Sequence, residues 1–131
     1  MSKALVIAIA IATALLAVSA CVQHPIYQVQ DAQVVTTSGK ALTPAQVRQA
    51  IVTAGTALGW TVVDAQPGKL EGTLNLRTHT AVVDIPYSAT AYSIVFKRGD
   101  NLNVEGDKIH KNYNGWVQNL DRGIRTELSR L

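Results

Sequence analysis

The sequence predicts an α+β fold: a two-layer sandwich with an antiparallel sheet of four to five strands and two helices on one face. Three observations predict it. Apolar residues recur at helical spacing between Thr43 and Gly59, within clear start and stop signals. From Trp60 to about residue 104 the pattern changes to alternation, the period of a half-buried strand. From His110 to Arg130 helical spacing returns. A sheet with one apolar face and two helices with one apolar stripe each are buried most economically by laying both helices on that face, leaving the other face wet and mostly polar.

Residues 1–20 read as an export signal. Lys3 gives a positive start, Ala4 to Val18 is an apolar run with Thr13 as its one polar residue, and Ser19 and Ala20 are the small residues a peptidase needs before its cut. That run, about 15 residues, is short for a bilayer span, which needs about 20. No basic stop-transfer cluster follows it in "CVQHPIYQVQD". Residues 21–41 are polar, with one Pro and one Gly, and are expected to be a tether, within which "AQVV" is a candidate edge strand. Residues 42–131 are expected to be a single domain, a size that suits one core.

The first helix has well-marked ends. Thr43 is the N-cap, Pro44 takes the first helical position, Gln46 completes a capping box, and Leu42 with Val47 forms a hydrophobic staple. Val47, Ala50, Ile51, Ala54 and Leu58 share one face, and Gly59 ends the helix. Gly55 weakens it, so packing must hold it. "WTVVDA" is a strand, and Pro67-Gly68 suits the centre of a type II turn. In "KLEGTLNLR", Leu70, Gly72, Leu74 and Leu76 face inward. Ala81, Val83, Ile85 and Tyr87 do so in the next strand, with Thr80, Val82, Asp84 and Pro86 outward. Pro86 marks an edge or a bulge. "AYSIVFK" turns Tyr92, Ile94 and Phe96 inward, "RGDN" reverses the chain, and "LNV" is a candidate last strand. In the second helix Ile109, Tyr113, Trp116, Val117, Leu120, Ile124 and Leu128 form one stripe; Gly115 and Gly123 are expected to allow close approach to the sheet.

The chain has one cysteine, Cys21, where the apolar run stops. An unpaired thiol is unusual in an exported protein. "VSAC", from Val18 to Cys21, resembles the lipobox of bacterial lipoproteins: an aliphatic residue, two small residues, then Cys. That resemblance implies a diacylglycerol on the Cys21 sulfur, cleavage just before it, and acylation (palmitate, for example) of the new amine. Several chains on one residue give stable anchoring, since each buried methylene adds about 0.8 kcal/mol. Val22, rather than Asp, follows the cysteine, and by resemblance to sorting in Gram-negative bacteria this implies the outer membrane, with the domain facing the periplasm.

Two further stretches, "LNLRTHTAVVDIPY" and "IHKNYNGWVQNL", resemble a group of small uncharacterised proteobacterial lipoproteins. The shared features are a lipobox, a Gly-Trp strand start (Gly59-Trp60), an Arg-x-His-x-Ala-x-Val strand (Arg77, His79, Ala81, Val83) and a terminal helix with Ile109-His110, Tyr113-Asn114 and Trp116. The resemblance covers most of residues 42 to 124. It implies the lipoprotein class and a small α+β domain, and brings no catalytic residue with it.

Of the 12 Lys and Arg, removal of Lys3 leaves 11 against 9 Asp and Glu, a formal +2 with no basic stripe, so nucleic acid is not an expected partner. His79 and His110 lie near element ends and are candidates to meet, beside Asp84 or Asp107. A metal site wants three ligands, usually closely spaced, and no such spacing exists. Ser88 and Ser93 lack a nucleophile-elbow pattern, the strand carboxylates are scattered, and "PGKLEG" lacks Walker spacing. Tyr87, Tyr113 and Trp116 are read as core before they are read as a groove. No catalytic set, metal or cofactor is therefore expected. The expected function is a lipid-anchored envelope lipoprotein whose non-catalytic domain binds or scaffolds an envelope partner through the open sheet face, including Thr73, Asn75, Arg77, Thr80, Asp84 and Lys97. The alternative is a small envelope enzyme or ligand-binding protein using Arg77, His79, Asp84 and His110. Convergence of those four side chains in a concave pocket would favour it.

Overall fold

The computed structural model describes residues 23–131. Cys21 and the expected signal at residues 1–20 lie outside the described residues. The elements in chain order are β1 (Gln23–Pro25), β2 (Val29–Gln33), α1 (Pro44–Ala57), β3 (Thr61–Gln66), β4 (Lys69–Leu76), β5 (His79–Pro86), β6 (Ala91–Asp100), β7 (Lys108–His110) and α2 (Lys111–Ser129). Five strands form one antiparallel sheet in the order β2-β6-β5-β4-β3, and β1 pairs with β7 in a separate two-stranded ribbon. The fold is the expected α+β sandwich.

Both helices lie on one face. In register across the sheet, Val62, Gly72, Val83 and Phe96 form an inner row, beside Leu70 paired with Ile85 and Leu74 paired with Ala81. From β6, Phe96 meets Tyr113 of α2 edge-on at 5.3 Å between ring centroids, and Tyr92 reaches Asp121 of α2. Gly55 of α1 lies against Val62 and near Leu120, so close that a Cβ there would stand 2.6 Å from Val62 Cγ2. This close approach accounts for a glycine in mid-helix. Gly123 faces Leu58 and Ala54 of α1 rather than the sheet, and Gly115 faces open space, so neither has the role expected for it.

The cap of α1 forms as read. Gln46 N–H donates to Thr43 Oγ1 at 3.2 Å, and Thr43 N–H donates to Gln46 Oε1 at 2.9 Å. Gly59 follows with φ +87° and Gly68 completes the β3–β4 turn with φ +78°, both in the region glycine favours. The stripe differs at its end. Val47, Ala50, Ile51 and Ala54 are buried, but Leu58 is 43% exposed, because α1 stops at Ala57 and Leu58 is its C-cap.

Four other expectations are corrected. Residues 23–33 are not tether: β1 and β2 belong to the domain, and β2 overlaps "AQVV" only at Ala32 and Gln33. Their polar side chains hide strands that are held by pairing, with β2 bulged at Asp31 (φ +48°). "LNV" is not a strand; Leu102 is buried and the last strand falls at Lys108–His110. "RGDN" does not reverse the chain, since β6 runs on through Asp100. On the faces, Leu76 is 42% exposed at the end of β4, while outward-facing Val82 is only 2% exposed in the middle strand, flanked in register by Thr73 and Arg98.

Candidate functional site

Of the five sequence-predicted residues, the four described ones fall in three places. Cys21 lies outside the described residues. His79 and His110 do meet: their rings stack at 5.8 Å with 30° between planes, and Trp116 stands 6.0 Å from His79. His79 opens β5 at the inner face, and His110 closes β7 just before α2. Each has a structural task. His79 Nδ1–H donates to the Asn101 carbonyl at 2.7 Å, since a carbonyl only accepts. His110 is the N-cap of α2, its Nδ1 accepting the Asn112 N–H at 3.3 Å, which leaves the ring proton on Nε2. The pair therefore offers one free nitrogen lone pair, on His79 Nε2. Among the described residues no three His, Cys, Asp or Glu side chains group as a metal site would.

Asp84 is elsewhere. It lies on the opposite sheet face, directly across from Glu71, and both carboxylates face Lys97. Lys97 Nζ is 2.6 Å from Glu71 Oε2 and 3.7 Å from Asp84 Oδ1, the second an ion pair too long for a hydrogen bond. Asp84 Oδ1 is itself buried with no hydrogen-bond partner. Two carboxylates abreast on neighbouring strands repel one another. A bulge in β6 opposite Val82 and Val83 makes Lys97 the extra residue and brings its ammonium to both. The hydrogen bond from Lys97 holds the Glu71 carboxyl below the usual carboxylate range, and the Lys97 ammonium is raised in turn. Arg77 occupies the β4–β5 turn at φ +56°, exposed. Arg77, His79, Asp84 and His110 thus do not converge in one pocket.

Tyr87, Tyr113 and Trp116 do not share a groove either. Tyr113 is in the core, Trp116 lies against His79, and Tyr87 bridges to Tyr92 at the other end of the sheet. The hollows among the described residues are shallow; one of about 440 Å³ lies between residues 34–42 and Ala89–Thr90, lined mostly by aliphatic residues such as Val34, Val35 and Leu42, with Lys40 as its one charged residue.

Sequence reasoning missed three polar devices. Asp121, 8% exposed, is the one buried charge among the described residues. It accepts the Tyr92 hydroxyl at 2.5 Å and Arg125 Nε–H at 3.1 Å. A signal existed: Asp121 stands four residues after Val117 and three before Ile124, on the apolar line itself. Burial and then Asp121 push the Tyr92 phenol far up. Second, Arg48 of α1 grips Asp64 of edge strand β3 with two bonds of 2.8 and 2.7 Å, holding that carboxyl below its usual range. Asp64 shares the inner row with Leu70, so an inward charge on an edge strand is answered from the helix above. Third, Asn114 clamps the N-terminal segment, its Nδ2 donating to the Pro25 carbonyl and its Oδ1 accepting the Tyr27 N–H, both at 2.9 Å.

No protein-family model matches this chain, and comparison with curated proteins and with solved structures returned no match.

Proposed function

We propose that the protein is a lipid-anchored lipoprotein of the bacterial outer membrane, facing the periplasm, whose domain is a non-catalytic binding or scaffolding module working through its open sheet face. The observation that carries the binding surface is the one-sided covering of the sheet. Both helices lie on the inner face, and the outer face presents Thr73, Asn75, Thr80, Asp84 and Lys97 with Arg77 at its rim. Ordered polar side chains on a rigid sheet are suited to recognise a protein surface, and the fixed Glu71–Lys97–Asp84 cluster adds charge register. The anchor rests on "VSAC" and the solitary Cys21. The alternative, a small envelope enzyme or ligand-binding protein using Arg77, His79, Asp84 and His110, has less support, since Asp84 stands on the other sheet face from the stacked histidines.

Two measurements test the two halves. Photo-crosslinking from Thr73 and Asn75 in intact cells is expected to give a discrete adduct, and absence of any adduct from that face overturns the surface. Labelled palmitate is expected to enter the wild type and not Cys21→Ser, which stays uncut because a hydroxyl lacks the nucleophilicity of the sulfur. Equal labelling, or none in the wild type, overturns the anchor.

A further inference from the structure

The segment that follows the acylation motif is bound into the domain. Gln23, His24 and Pro25 pair with His110, Ile109 and Lys108. Gln23 Nε2 donates to the Asn103 carbonyl at 2.7 Å, and Ile26 N–H donates to the Asp107 carbonyl at 2.8 Å. Asn114 then holds Pro25 and Tyr27. Read backwards from Tyr27, beside Asn114, to Gln23, beside His110 and Asn103, the chain climbs toward the end of the domain where His79 meets His110. That end also carries the Arg77–Thr78 turn and the start of α2.

Cys21 is two residues before Gln23. Two residues of chain reach at most about 7 Å. A flexible linker of about 20 residues would instead give an end-to-end distance of about 25 Å and leave orientation free. We infer that this end of the domain lies against phospholipid headgroups, with Arg77 and Lys111 meeting their phosphates, so that the protein stands on the membrane in one orientation. The inference rests on the lipid anchor proposed above. Arg77 and Lys111 are exposed, and among the described residues neither has an ion-pair partner, which suits them to an anionic surface. The opposite end, with the Pro67–Gly68 turn, is one eight-residue strand away, about 26 Å.

The test uses the mature acylated protein in nanodiscs of phosphatidylethanolamine and phosphatidylglycerol, doped with a gadolinium-chelate headgroup lipid. Backbone amides are read by NMR after the intact mass has established acylation. Broadening at Thr78, Asn103 and Lys111 is expected to exceed that at Lys40 and Gly68 by at least about threefold, given a separation of one strand length. The double variant Arg77→Gln, Lys111→Gln is expected to lose at least about half of that difference, because only the short connection then orients the domain. Uniform broadening on acylated protein overturns this inference and leaves the anchor intact. An unchanged difference in the double variant overturns the phosphate contact. An intact mass without acyl chains overturns the anchor, and this inference with it.

Discussion

Tyr92 and Tyr113 are both fully buried tyrosines on the same core, and removing their hydroxyls should have opposite effects. Tyr92 O–H donates to Asp121 Oδ1 at 2.5 Å, while the Tyr113 hydroxyl is buried without a partner. A hydrogen bond to a charged group contributes about 1.5–3 kcal/mol net, and a buried carboxylate oxygen left unsatisfied costs more than a neutral one. In Tyr92→Phe, Asp121 keeps only Arg125, whose side chain is more than half exposed and screened. The expected loss is about 2 kcal/mol. With a urea slope near the low end for small domains, that moves the midpoint down by about 1 to 2 M with the slope unchanged. In Tyr113→Phe the edge-on contact with Phe96 is kept and only an unpartnered oxygen goes. That variant should be neutral or more stable by up to about 1 kcal/mol. Urea melts of the two variants on an identical domain decide the matter. A Tyr92→Phe change under about 0.5 kcal/mol, or equal losses in both variants, would refute the assignment of the Tyr92–Asp121 bond as a structural element.

The same two phenols should contribute to a loss of stability at alkaline pH. Burial first raises both, Tyr92 with help from Asp121, above the ordinary value of 10.0. Below pH 10 their contribution is fully present; above it the unfolded chain loses protons that the folded chain keeps, so stability falls by about 1.4 kcal/mol per pH unit for each. Tyr113→Phe should roughly halve that slope in melts taken at pH 10 to 12. Gly99→Ala should destabilise by more than about 1 kcal/mol, because its Cβ would stand 2.9 Å from the Thr80 carbonyl oxygen, which cannot yield, whereas Gly115→Ala, facing open space in α2, should stabilise by about 0.5–1 kcal/mol; thermal melts that rank the two the other way contradict the packing of β6. Thr43→Ala should cost about 1 kcal/mol through the lost cap, and unchanged denaturation would place the start of α1 elsewhere. Leu58→Ala should cost well under the roughly 2–5 kcal/mol of a buried leucine, and a loss in that range would mean Leu58 is covered.

The fold was legible where local signals agree with burial. The α1 cap and the alternation of β4 and β5 each combine a turn signal with a period, and each is found in place. Legibility failed at residues 23–33. Those strands are short, polar and secured by bonds to residues about 60 to 90 positions downstream, such as Gln23 to Asn103, Pro25 to Asn114 and Asp31 to Ser93, so no local pattern announces them. It failed also at Leu58, where the apolar period continues one residue past the last residue that α1 keeps in helical conformation.

The candidate site divides along the same line. The stacking of His79 on His110 depends on how β5 and β7 come together across 31 residues of sequence, and histidine is not among the residues preferred as N-caps, so the task of His110 at α2 carries no sequence signal. The separation of Asp84 from His79, by contrast, was readable. Side chains alternate along a strand, and 79 and 84 differ by an odd number, so without a bulge between them they must point to opposite faces. The ladder from β4 to β5 is regular throughout that span. Asp84 therefore cannot orient or deprotonate His79 however the rest of the chain folds around the strand. The sheet works as a partition: on the helix-covered face the histidines secure the junction of β5, β7 and α2, and on the open face Asp84, Glu71 and Lys97 form the charged surface on which the proposed partner would settle.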